Sequence, residues 1–148
     1  MKNYISVILL LLVITGFCSC KKHDGTDSMP EVPAPDWTVD TTGKYPLSMT
    51  VVVQVPPGIT PDISEADKIG AFSGDECRGV GTLIETGTTS VFFIMIHGTA
   101  TEQNKISFKY YSSQNAHVYS TNAFLDFIVD GNYGTVDDPE VLDMKQEH

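Results

Sequence analysis

Leu47, Met49, Val51, Val53 and Val55 alternate with Ser48, Thr50, Val52 and Gln54, a period of two over nine residues that predicts a half-buried β-strand. Pro56-Pro57-Gly58 ends it. Further on, Asp67 to Ile84 holds two short apolar runs hinged at Ser73-Gly74-Asp75-Glu76, the sequence form of a tight hairpin. Gly74-Asp75 suits a type II′ turn, because glycine accepts the positive φ its first position needs. A two-residue loop then sets Phe72 opposite Cys77, Gly70 opposite Gly79 and Ile69 opposite Val80, with Phe72 lying over the bare backbone at Gly70, Gly79 and Gly81. Val91 to His97 is apolar at every second position in both registers and reads as a central strand buried on both faces. In Lys105 to Tyr111, Ile106, Phe108 and Tyr110 face in while Lys105, Ser107, Lys109 and Tyr111 face out.

Trp37, Ala116 and Phe124 start three further candidate strands, bounded by clusters such as Asp130-Gly131-Asn132-Tyr133-Gly134. No helical stripe competes. Strand starts at Trp37, Leu47, Asp67, Glu76, Val91, Lys105, Ala116 and Phe124 give about eight strands. The expected fold is all-β, a single antiparallel β-sandwich of immunoglobulin-like or jelly-roll-like form over residues 36–148.

The N-terminus is of another kind. Lys2 precedes the apolar run Ile5 to Ile14, too short for the ~18 to 20 apolar residues of a membrane span, and Ser19-Cys20 follows in the manner of a bacterial lipobox. Residues 1–19 are therefore expected to be a lipoprotein signal, with Cys20 the lipid attachment site and the membrane the first partner. Residues 20–35, polar and punctuated by Pro30, Pro33 and Pro35, read as a tether. Of three cysteines, Cys18 leaves with the signal and Cys20 is acylated, so Cys77 stands alone and no disulfide framework is available. It is expected to be a small buried hydrophobe.

The whole chain carries a net charge of −10, and removing the signal leaves eight basic against 19 acidic residues, a net of −11. Nucleic acid is a poor partner for such a surface. No HExxH, GxSxG, CxxC or phosphate-binding glycine loop occurs, so no catalytic residue is assigned; no metal ligand set or cofactor is assigned either. Asp130, Asn132, Asp137, Asp138 and Glu140 offer oxygens, but their spacing misses the EF-hand loop. His97 and His117 read as structural or surface residues, and a hydrolase built on a carboxylate pair is the least favoured of the functional classes.

Asp67-Lys68-Ile69-Gly70-Ala71-Phe72, Glu76-Cys77-Arg78-Gly79-Val80, Phe93 before Gly98, Ile106-Ser107-Phe108-Lys109, Gly134 and Asp138-Pro139 together resemble an all-β module that recurs in exported proteins of the Bacteroidota. The resemblance covers about residues 37–142 and rests chiefly on the hairpin. It implies a cell-envelope accessory module and carries no catalytic residue across. Surface lipoproteins of that group often show an acidic cluster after the lipidated cysteine; this chain departs from that with the mixed Lys21-Lys22-His23-Asp24, and the resemblance leaves an outer-membrane anchor with surface display only favoured over a periplasmic position.

Two functions compete: a binding module for glycan or protein, and a structural component of an envelope assembly. A sugar site needs rings standing in one plane with amides at the rim; an assembly protein would show a long unpaired edge. Trp37, Tyr111, Tyr119 and Tyr133 are the rings expected at the surface, Gln114, Asn115 and Asn122 the neighbouring amides. Phe72, Phe92, Phe93, Phe108 and Phe124 are expected in the core. Arg78 is expected to be a structural cation, exposed on one face with Glu76 and Asp67.

Overall fold

The computed structural model describes residues 31–147 apart from 61, 88, 104 and 123. Among the described residues nine strands form one mixed, mostly antiparallel sheet that does not close into a barrel: β1 (Leu47–Gln54), β2 (Lys68–Ser73), β3 (Glu76–Thr86), β4 (Thr89–Gly98), β5 (Ile106–Ser112), β6 (His117–Ser120), β7 (Asn132–Tyr133), β8 (Glu140–Val141) and β9 (Lys145–Gln146). The order is β7-β1-β4-β3-β2-β5-β6-β9, with β8 also on β1. β7 and β8 run parallel to β1, a departure from the all-antiparallel expectation.

β1 behaves as its alternation dictates. Met49, Val51 and Val53 are buried against Ile96, Ile94 and Phe92 of β4. The long strand β3 serves two arms of the sheet, its first half pairing with β2 and its second half with β4. Between them lie Gly79 and Gly81, where a Cβ would meet the Met95 carbonyl and the Ile69 side chain respectively, so the bare backbone lets neighbouring strands close in. One core cluster draws on both arms, from Met49, Val51, Val53, Phe92, Ile94 and Ile96 on one side to Ile69, Ala71, Ile106, Phe108, Tyr110 and Tyr119 on the other.

The hairpin turn forms as read: Ser73 pairs with Glu76, Phe72 with Cys77, and of the turn pair Gly74 alone takes a positive φ, 62°. Beyond Cys77 the register differs. A bulge between Ala71 and Phe72 leaves Arg78 as the extra residue, so Ala71 faces Gly79 and Gly70 faces Val80. Phe72 consequently covers Gly70 but neither Gly79 nor Gly81, which belong to the core face.

Two expected strands are absent. Residues around Trp37 run as an extended strap along the outer face of the β2–β5 arm: Val32 N donates to Ala116 O at 2.7 Å, Lys68 Nζ to Pro35 O at 2.8 Å, and Trp37 sets its ring edge-on to Phe72 at 5.6 Å. Phe124 to Val129 makes only one bridge, Leu125 to Ile106; Phe124, Leu125 and Phe127 pack against the core, where the Phe127 ring fills the space beside Gly98, while Asp126, Ile128 and Val129 are exposed. Past Pro139, where no strand is expected from the sequence, the chain returns to the sheet. β8 pairs with β1, Leu142 and Met144 enter the core, and β9 pairs with β6, so seven residues stitch one edge of the sheet to the other. Burying those two side chains contributes on the order of 1.5 to 3 kcal/mol each.

Candidate functional site

The expected platform of rings is not assembled. Tyr111 and Tyr119 are 6% and 8% exposed rather than solvent-facing. Tyr111 points outward as its strand position requires, but it stands opposite Lys68, where the strap crosses the arm. Tyr119 joins the core cluster against Tyr110. Trp37 is taken up by Phe72, and Tyr133, on β7, packs against the core from the far edge. The amides are divided too. Asn115 Nδ2 donates to Ile59 O at 2.8 Å and to the Tyr119 hydroxyl at 3.1 Å, while exposed Gln114 accepts from Thr60 Oγ1 at 3.3 Å. Of these three amides, Asn122 alone is exposed with no partner among the described residues.

Arg78 is a structural cation of a different sort from the exposed one expected. The bulge turns it to a position where it is 4% exposed and its Nη1 donates to Glu102 Oε2 at 2.9 Å and to His97 O at 3.3 Å. Its Nη2 reaches Glu76 at 3.3 Å, and the guanidinium lies 3.4 Å above the Tyr45 ring centroid. Asp67 is not its partner. Glu102, 8% exposed in its side chain, also accepts from Ser73 Oγ at 3.0 Å, while exposed Glu76 takes Lys44 Nζ at 2.5 Å and the Tyr45 hydroxyl. Lys44, first, and Tyr45 hold the Glu76 carboxyl below the usual carboxylate range. The Arg78 Nε–H has no partner among the described residues.

Asp67, which opens the hairpin motif, is buried and accepts four hydrogen bonds: from Ser64 N at 3.0 Å, Tyr110 Oη at 2.6 Å, Ser113 N at 2.8 Å and Ser113 Oγ at 2.6 Å. Burial pushes its carboxyl up, yet the donors from Ser113, Tyr110 and Ser64 outweigh burial and hold it below its ordinary value. Burial, then Asp67 itself, pushes the Tyr110 phenol up. The carboxylate therefore ties two turns to the β5 core and is engaged on both oxygens. Cys77 is half-buried rather than buried, since it shares the outer face with Phe72; burial still pushes its thiol up, and Sγ contacts Gly79 O at 3.5 Å.

What stays open is a cleft of about 280 Å³ at the end of β6, lined by Ser120, Thr121, Asn122, Phe124, Asp143 and Lys145. Thr121 is fixed by the β5 backbone: its Oγ1 accepts from Phe108 N at 2.8 Å, and its own N–H donates to Phe108 O at 2.9 Å. Phe124 is half-buried, edge-on to Phe108 at 5.8 Å, with its N–H on Ile106 O at 2.8 Å. Across the cleft the C-terminal segment supplies Asp143 and Lys145, the latter held by the Lys145–Ser120 pairing of β9 with β6. The side chains of Ser120, Asn122, Asp143 and Lys145 make no hydrogen bond or ion pair among the described residues, so hydroxyl, amide, carboxylate and ammonium stand around one anchored ring. Asn122 was singled out in the sequence; Asp143 and Lys145 were not, because only the return of the chain brings them there.

A second, shallower cavity of about 500 Å³ is lined by Asn132, Gly134, Thr135, Asp138, Pro139 and Glu140. Among the described residues no group of three or more His, Cys, Asp and Glu side chains has the geometry to hold a metal ion. Cys20 and the apolar run before it lie outside the described residues. The chain matches no family model, no curated protein and no solved structure.

Proposed function

We propose that the chain is a lipid-anchored protein of the cell envelope whose domain is a non-catalytic binding module, and that its ligand is the terminal residue of a glycan seated in the cleft at the end of β6. The domain is read as a β-sandwich, its two arms lying across one core. The carrying observation is the cleft, where unpartnered Asn122, Asp143, Lys145 and Ser120 surround the half-buried Phe124 ring. An apolar ring face with convergent donors and acceptors suits a pyranose, which presents C–H groups on one side and hydroxyls at its rim. The cavity lies just under the ~300 to 1,000 Å³ usual for small-ligand sites, a size suited to one sugar. Ser19-Cys20 supports the anchor, the polar stretch after it supports a tether, and display at the outer-membrane surface is favoured.

The reading as an assembly component is supported in one form only. Both edges of the sheet carry two-residue strands, β7 and β8 at one side and β9 at the other, so edge pairing has little template. The outer face of β1, β4 and β3 remains for protein contact.

The test is a glycan array with purified Cys20→Ala chain. Retention of one glycan class is expected, lost in Asn122→Ala/Lys145→Ala with an unchanged melting temperature. If the Cys20→Ala chain retains none, the glycan reading fails. Palmitate labelling in cells checks the anchor separately: labelling of the Cys20→Ala chain would refute Cys20 as the acylated residue.

A further inference from the structure

The two outer faces of the sheet are treated differently by the chain. The face of the β2–β5 arm is crossed by the strap, whereas on the β1–β4–β3 arm Met95, Val80 and Val141 stand exposed around Val52 and Val91, which are buried on the same face. Registers place Thr50 beside Met95 and Asn132, Val52 and Thr82 on either side of Phe93, Ile84 beside Val91, and Val141 beside Gln54. Val80 adjoins this set, one residue before the Gly81–Ile94 pair. Val141 is 59% exposed, Met95 46% and Val80 40%, and Phe93 is half-buried. Met95 thus breaks the expectation that β4 is buried on both faces, and Phe93 is not a core ring. β1, β4 and β7 contain no Asp, Glu, Lys or Arg.

The rim of this face carries charge of one sign. Asp130, whose N–H donates to Ser48 O of β1, lies along the β7–β8 edge with Asp137 and Asp138. None of these three is in an ion pair among the described residues. The arm's single arginine, Arg78, is buried against Glu102.

This arrangement selects among occupants. An anionic bilayer would meet the acidic rim with like charge. A second copy docked face to face about a twofold axis would set rim against rim, and opposed like charges oppose association. We propose that the β1–β4–β3 face docks a protein segment that is apolar along one strip and flanked by lysine or arginine, with Met95, Val80, Phe93 and Val141 as the apolar contacts and the Asp130–Asp138 edge as the counter-charge. The surface is separate from the cleft at β6, and it stands whether or not that cleft binds sugar.

Two experiments test this. In the first, an eight-residue peptide alternating valine and lysine, dye-labelled, is titrated into the full Cys20→Ala chain, with a valine–glutamate peptide as comparison. Binding of the lysine peptide alone is expected, weakened by salt, about tenfold weaker for Met95→Lys/Val141→Lys, and mapped to Val80, Phe93 and Met95 by amide shifts. Equal binding of both peptides, or indifference to the double substitution, overturns the proposal. Both positions are exposed, so the variant's melting temperature should match the parent's. In the second, a photo-crosslinker replaces Met95 in cells, with Asp126 as the control position. Crosslinking to a segment of another protein bearing lysine or arginine beside apolar residues is expected. Crosslinking to a second copy, to lipid, or no more than at Asp126 overturns it.

Discussion

Replacing Arg78 by methionine should destabilise the domain by about 2 to 4 kcal/mol. Breaking a buried ion pair by removing one partner costs about 3 to 5 kcal/mol, because the other charge stays buried; here Glu102 would keep only the Ser73 hydroxyl. Loss of the guanidinium over Tyr45 adds about 1 kcal/mol. Against this, Arg78 Nε has no partner among the described residues, and removing a buried unsatisfied donor returns about 1 to 3 kcal/mol. For a domain of this size the net corresponds to a fall in melting temperature of roughly 8 to 15 °C. The double variant Arg78→Met/Glu102→Leu leaves no orphaned charge and should lie within about 1 kcal/mol of the parent. Trp37, the only tryptophan, reports on unfolding through its contact with Phe72, and urea titration of the four chains of the cycle gives the coupling directly. A loss below about 1 kcal/mol for Arg78→Met, the value of an exposed pair, would refute the reasoning, as would a double variant whose loss is the sum of the singles.

Asp67→Asn should cost about 2 to 3 kcal/mol at neutral pH, since an amide oxygen cannot accept all four donors and its NH₂ faces hydrogens. Because the Asp67 carboxyl titrates lower folded than unfolded, its stabilisation is complete above the unfolded value of about 3.9 and fades as pH falls through the folded one. Urea midpoints between pH 7 and pH 2 should show a shallower acid limb in the variant, and identical limbs would contradict the assignment. Gly79→Ala should lose about 1 to 3 kcal/mol, because its Cβ meets the Met95 backbone carbonyl, which cannot step aside. Gly70→Ala meets only the Phe72 and Trp37 rings, at 2.8 and 3.2 Å, so a smaller loss with a shift in Trp37 emission is expected; the reverse order in thermal melts would count against the packing described.

Where side chains repeat with a period of two over many residues, local sequence carried the answer: β1, the inward set Ile106, Phe108 and Tyr110 of β5, and the Gly74 turn all form as read. Failures arose where another segment of chain decides exposure. Tyr111 occupies an outward position yet is buried, beside Lys68, on the face that a strap some seventy residues earlier in sequence crosses. Arg78 follows the turn by two residues, but one bulge changes its surroundings from solvent to Glu102, His97 and Tyr45. Strands of two residues have no period at all, which hid β7, β8 and β9 and with the last two the Asp143–Lys145 wall of the cleft. The four donors on Asp67 come from Ser64, Tyr110 and Ser113, and nothing local to the hairpin motif announces the last two.

The two chain ends also bear on how an anchored domain would be presented. The strap joins the domain where Val32 meets Ala116, immediately before β6, so a tether leading back to Cys20 would depart from that end of the strand. The cleft opens immediately after Ser120, at the other end of the same strand, roughly 13 Å away for four residues in extended form. Its far wall is the C-terminal segment, which is held at β8 and β9 and filled in between by Leu142 and Met144, so Asp143 is fixed by its buried neighbours rather than by contacts of its own. An anchor on Cys20, as proposed, would therefore draw the β5–β6 turn toward the bilayer and leave the cleft on the side turned away from it. For the proposed surface-displayed glycan receptor that would be the productive orientation, set by where the strap and the C-terminal segment are sewn into the sheet.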